Sequence, residues 1–356
     1  MRVHLTDAMF DRHEAELLTS GDIAVTTFRY ASGVAALRIR SPRAELIALP
    51  FKGQQVWRAV FDGRDVTMGS LFEEPVDTQD YLATYGAFFI HCGLTAMGGP
   101  GPTDTHPLHG ELPNARFQTA YLEMRGGKLV IGGAFRHAVA FTVAYLATTE
   151  ITVDPAAAEI GVTVHVDNQR HAPMELMYLA HANFRPVDHG ELVYAAPYTA
   201  EAVRVRQSIP SHISPPEGYA AFIDALVIDP TLHHLFRPDL AFDPEVVFEV
   251  DMLPDADGWT HGLQRHHDGT ADFISHVHAQ GPRATRWICR TPDQQGLGIA
   301  FPSTAGVEGF TAEKAKGRIV EVSPKGTWEI AMRMGTLTAD ETAEMAGRLD
   351  RIAGRV

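Results

Sequence analysis

Along most of the chain, apolar and polar residues alternate in short runs separated by turn residues. This is the period-two signature of strands that bury one face. GDIAVTTFRY (21–30) and GVAALRIRS (33–41) read as paired strands joined at ASG. AELIALPFKGQQVWRAVFDGRDVTMG (44–69) reads as two strands, with Asp62-Gly63 in FDGRD as a hairpin turn. KLVIGGAFR (128–136), AFTVAYLATTE (140–150), AEIGVTVHVDNQ (158–169) and PMELMYLAHANF (173–184) continue the series. EVVFEVDML (245–253), ADFISHVHAQ (271–280), RWICRTP (286–292), GLGIAFP (296–302) and TWEIAMRMG (327–335) complete it.

Helical spacing is rare. TLTADETAEMAGRLDRI (336–352) carries a Thr338-x-x-Glu341 capping box and sets Met345, Leu349 and Ile352 on one face, so a C-terminal helix docked on the sheet body is expected. PPEGYAAFIDAL (215–226) reads as a short crossover helix. The pattern therefore predicts an all-β fold, a large antiparallel β-sandwich with few short helices, in a single domain spanning residues 1–356. The Gly- and Pro-rich stretch TAMGGPGPTDTHPLHGELPN (95–114) lies between apolar runs and reads as a long functional loop.

Composition narrows the function. Of 356 residues, 45% are hydrophobic, enough for a sizeable core. The formal net charge of −14 argues against a nucleic-acid partner, which needs clustered Lys and Arg, and favours a small substrate of little charge. Two cysteines give no disulfide framework, and no apolar run suits a signal peptide or a membrane span, so a cytoplasmic location with no membrane partner is expected. A homodimer is one expectation for the oligomer.

The 18 histidines are unusual, because imidazole titrates near neutrality and is also the commonest metal ligand. If ELMYLAHAN is a strand, Glu175, Met177, Leu179, His181 and Asn183 share one face. Three polar groups on an inner face cost several kcal/mol unless they are hydrogen-bonded or line a pocket. In ADFISHVHAQ, Asp272, His276 and His278 likewise share a face, a spacing that suits either a metal or an exposed polar face. The loop HPLHGELPN supplies His106, His109, Glu111 and Asn114, and FPSTAGVEGFTAEKAKG supplies Glu308 and Glu313. No G-x-S-x-G elbow, P-loop, dinucleotide fingerprint or H-E-x-x-H motif is present, which leaves acid/base or metal-assisted chemistry on a small molecule.

Three segments resemble the galactose mutarotase-like (aldose 1-epimerase-like) superfamily, and specifically its DUF4432 branch. LHGELPN (108–114) is similar to the His-Gly motif after the long loop, YLAHANF (178–184) to the histidine motif of the cleft, and EVSPKGTWEIAMRMG (321–335) to the closing strand pair. The resemblance implies a small sugar bound in a concave cleft and an isomerase of the aldose 1-epimerase type, with no cofactor. His181 would be the general acid and His109 a substrate binder. Ala180 and Asn183 stand where the motif has asparagine and tyrosine, and GLGIAFPSTAG has no acid where the family has its glutamate, so Glu308 or Glu313 would take that role. Glu111, Asn114, Glu175, Asn183, His276 and His278 complete the expected substrate-binding set. Two alternatives stand beside this reading: a sugar isomerase or lyase with a divalent metal on Glu175, His181, His276 and His278, and a carbohydrate-binding protein without catalysis.

Overall fold

A computed structural model describes residues 2–209 and 213–355. Two antiparallel sheets form the body. In the nine-stranded sheet the order is Arg2–Leu5, Thr119–Arg125, Lys128–Val139, Val143–Val153, Glu159–Asn168, Thr327–Leu337, Ala271–Val277, Trp259–Arg265 and Glu191–Tyr194. The thirteen-stranded sheet runs from Val203–Val205 through Phe242–Val250, Arg283–Arg290, Gln295–Ser303, Met174–Ala182, Phe89–Leu94 and Gln55–Phe61 toward the N-terminal strands. The largest apolar cluster joins both sheets and includes Leu176, Tyr178, Val164, Ile330 and Met332.

Alternation was a good guide wherever one face of a strand meets this core. Ile23–Arg29 pairs with Ala35–Arg40, and Gln55–Phe61 turns at Asp62-Gly63 with φ of 48° and 78°. Positive φ at both central residues makes this the turn that matches the strand twist, which Asp-Gly favours. The C-terminal helix spans Ala339–Ile352. Thr338 caps it by accepting from the Glu341 N–H, while the Glu341 carboxylate accepts from the Thr338 N–H at 2.8 Å. Leu349 and Ala346 pack on Leu263, Ala271 and Phe273 of the nine-stranded sheet. The crossover helix is Tyr219–Ile228.

One sequence expectation fails locally. ADFISHVHAQ is a strand only to Val277, and His278 begins a 3-10 turn, so His276 and His278 do not continue one strand face. The strands Phe89–Leu94 and Trp259–Arg265 gave no alternating signal. Phe89–Leu94 is buried at every position, and Trp259–Arg265 buries polar residues such as Thr260, His261 and Gln264.

Candidate active site

The strand Met174–Ala182 divides its side chains as period two requires. Leu176, Tyr178, Ala180 and Ala182 enter the core between the sheets, while Met177 and Leu179 join a second cluster with Trp57, Tyr81, Tyr85, Trp287 and Phe301. His181 lies on this second side, in the wall of a cavity of about 360 Å³. That volume falls in the range of small-molecule pockets. The lining is largely aromatic and aliphatic, and its polar groups include His181, His109, Glu245, Thr285, Arg206 and Asp293.

Rings surround the His181 imidazole, with centroids 4.1 Å away for Phe301, 5.5 Å for His109, and 5.6 Å for Tyr85 and Trp287. Its Nδ1 lies 2.6 Å from Asn183 Oδ1, and Asn183 Nδ2 donates to the Ala87 carbonyl at 2.9 Å. Because the amide nitrogen is occupied as a donor, Oδ1 is the acceptor. Nδ1 therefore carries the ring proton and the lone pair is on Nε2. Burial in this ring of aromatics pushes the imidazole down to about 3, so it is neutral at pH 7, with the Asn183 hydrogen bond acting weakly in the other direction.

His109 reaches the cavity from the 95–114 loop. It sits at φ of 60°, followed by Gly110 at 79°, and its ring is 4.7 Å from that of Tyr81. The loop is pinned from below. Glu111 accepts from the Thr95 hydroxyl at 2.7 Å and the Tyr145 hydroxyl at 2.6 Å. Asn114 accepts from Gln55 and belongs to a different depression. Glu111 and Asn114, expected as substrate binders, thus serve as loop anchors, and neither lines the cavity.

Two carboxylates do line it, Asp293 and Glu245, and Glu245 is on Phe242–Val250, three strands along the sheet from His181. Trp287, on the neighbouring strand, donates its indole N–H to Glu245 Oε2 at 2.7 Å while its ring touches His181. Among the described residues no hydrogen bond engages Oε1. Sequence reasoning missed Glu245 because its strand was legible but its neighbours across the sheet were not.

The remaining expected residues lie elsewhere. Glu175 is at the far end of the strand, exposed and paired with Lys314 at 2.7 Å. Glu313 is wholly buried, but it holds the Gly306 N–H at 2.9 Å and the Lys316 ammonium at 2.7 Å, away from His181. Glu308 meets the cavity only through Arg206, whose Nε it holds at 2.5 Å. His276 belongs to the other sheet. Its Nε2–H donates to the Gly281 carbonyl at 2.9 Å, and its Nδ1 accepts from Thr260, so it is a satisfied core histidine. His278 follows it onto the 3-10 turn. Glu175, His181, His276 and His278 therefore do not converge. Among the described residues, no group of three or more His, Cys, Asp or Glu side chains is placed to hold a metal ion.

With the geometry established, similarity to known proteins adds the lineage. A family model described as "Domain of unknown function (DUF4432)" matches residues 31–207. The match covers 177 of the 356 residues, just under half of the chain. No curated protein matches it. Among solved structures, a provisionally assigned aldose 1-epimerase from Klebsiella pneumoniae superposes with a TM-score of 0.82 at 16% identity, over 99% of this chain and 96% of the other. A galactose mutarotase-like protein from Clostridium acetobutylicum gives 0.62 at 11% identity, over 89% and 99%. A second provisional aldose 1-epimerase, from Escherichia coli K12, gives 0.55 at 11%, over 88% and 99%. The chain thus has the galactose mutarotase-like fold. Among its described residues no helix is long and apolar enough to cross a membrane.

Proposed function

We propose that the cavity binds a small sugar of little charge and interconverts its anomers by proton transfer, with His181 and Glu245 as the proton-handling groups. The single observation that carries this is the convergence of His181, His109 and Glu245 on one aromatic-walled cavity. Ring opening moves a proton from the anomeric hydroxyl to the ring oxygen. Both oxygens are bonded to the same carbon, so one nitrogen can take the proton and return it. His181 enters as a neutral base with its lone pair on Nε2, the reverse of the proton donor expected from the resemblance. The Glu245 carboxylate, linked to His181 through the Trp287 ring, offsets the cost of the transient imidazolium. Trp287 and Phe301 offer flat apolar faces to the C–H side of a pyranose.

One feature favours a second reading, carbohydrate binding without turnover. Phe301, 4.1 Å from His181, helps dry the imidazole and makes its charged form costly. Exchange NMR of anomeric protons across a panel of aldoses separates the two. Catalysis predicts accelerated exchange for at least one sugar, falling by about 100-fold or more in His181→Gln and in Glu245→Gln. Saturable binding with no exchange would favour the binder, and a panel that neither binds nor exchanges would sink both.

A further inference from the structure

On the outer face of the nine-stranded sheet, away from the sugar cavity, Ser275 and His261 are register partners on neighbouring strands. The Ser275 hydroxyl donates to His261 Nδ1 at 2.7 Å, and His261 Nε2–H donates to Asp255 Oδ2 at 2.7 Å. Asp255 is itself fixed. Its Oδ1 accepts the Asp257 and Trp259 N–H groups at 2.8 and 3.0 Å, and Arg348 of the C-terminal helix pairs with Oδ2. The chain of bonds sets the tautomer: His261 points a lone pair at a serine hydroxyl and an N–H at a carboxylate. These are the relations that activate a serine nucleophile, whatever the fold.

Two further observations make this more than a hydrogen-bond ladder. All three side chains line a cleft of about 420 Å³ between the sheet and the C-terminal helix. Ser275 is also flanked on its other side by its register partner Arg333. The Arg333 guanidinium lies 5.1 Å from the centre of the Trp259 ring, two strands away, so the side chain crosses the strand that carries Ser275. A cation laid beside the nucleophile is what a developing oxyanion requires.

We propose that Ser275, His261 and Asp255 form a second site that hydrolyses small acyl esters. Ser275 Oγ bonds to the ester carbonyl carbon as its proton passes to His261 Nδ1, and Arg333 faces the carbonyl oxygen as it becomes negative. The bond from that carbon to the alkoxy oxygen breaks, and the alcohol leaves with the proton from His261. Water then attacks the acyl-serine, gives one proton to His261, and releases the acid as Oγ recovers its proton. Trp259 and Phe273 supply the apolar wall for the acyl group.

The test treats the full chain with an alkyl fluorophosphonate and maps the adduct by peptide mass spectrometry, with p-nitrophenyl acetate as the turnover substrate. An adduct on Ser275 is expected, with labelling at least about 100-fold slower in His261→Gln. Ser275→Ala should lower ester turnover to the background rate of free imidazole. Wild-type protein that takes no label at Ser275, labelling indifferent to His261→Gln, or ester turnover unchanged in Ser275→Ala would each overturn the proposal. Wild-type labelling needs no variant, so misfolding of a variant does not obscure the result. Anomer exchange in the sugar cavity, which uses none of these residues, reports independently that the fold is intact.

Discussion

His181 differs from the satisfied core histidine His276 in what its second nitrogen is left to do. His276 spends both nitrogens on Thr260 and Gly281, whereas His181 spends Nδ1 on Asn183 and keeps the Nε2 lone pair. The charge state of His181 therefore rests on two things, the surrounding rings and the neutral Asn183 oxygen. Asn183→Asp places an anion at the same 2.6 Å contact, which should raise the imidazole pKa by more than about one unit. Ring NMR titration measures this directly, with a wild-type His181 that stays neutral down to about pH 6, where the chain is still folded. A wild-type ring titrating near 6.5 would refute the account of burial. That His181 and Asn183 share a face was legible because period two is a local property of one strand. Glu245 was not, because its relation to His181 passes through Trp287 and is fixed only when four strands are placed side by side.

Among elements, the 95–114 loop shows most clearly where sequence alone stops. Its Gly and Pro content marked it as functional, and His109 does reach the cavity. Glu111 and Asn114 looked equally chemical, yet they are spent on holding the loop, Glu111 accepting the Thr95 N–H and Asn114 the Gln55 amide, since buried donors must be satisfied somewhere. Gly110 is the tight point: at φ of 79°, an added Cβ would lie 2.2 Å from the Ala96 carbonyl oxygen and 2.5 Å from that of Gly93. Gly127, in the hairpin before Lys128–Val139, has φ of 82° but nothing within 4 Å. Both changes to Ala carry the left-handed strain, so the difference between them isolates the clash. Gly110→Ala is expected to lose about 1–3 kcal/mol more stability to urea than Gly127→Ala, and only Gly110→Ala should lower anomer exchange, by moving His109. Equal exchange in the two variants would mean that the loop does not position the site.

For the whole molecule, buried neutral histidines set the acid limit of the fold. Burial pushes His91, His181 and His234 down to about 3, His276 to about 4, and His233 well below its ordinary range. In the unfolded chain each titrates near its ordinary value of about 6.5. Above that pH neither state binds the protons, and stability does not depend on them. As pH falls from about 6.5 toward 4, the unfolded chain takes up five protons that the native chain refuses, so stability must fall. One such proton is worth about 1.4 kcal/mol per pH unit, and five together about 7. Over two units that slope amounts to about 14 kcal/mol, as large as the total stability of a domain, about 5–15 kcal/mol. Unfolding is therefore expected between about pH 6 and pH 4, before the aspartates and glutamates protonate in number. Urea midpoints measured from pH 7.5 to 4.5 check this, and His276→Gln should reduce the slope by about a fifth, because it removes one of five protons. A midpoint that stays level down to pH 5 would mean that these imidazoles accept protons in place, and that the cavity around His181 is wetter than its aromatic walls imply.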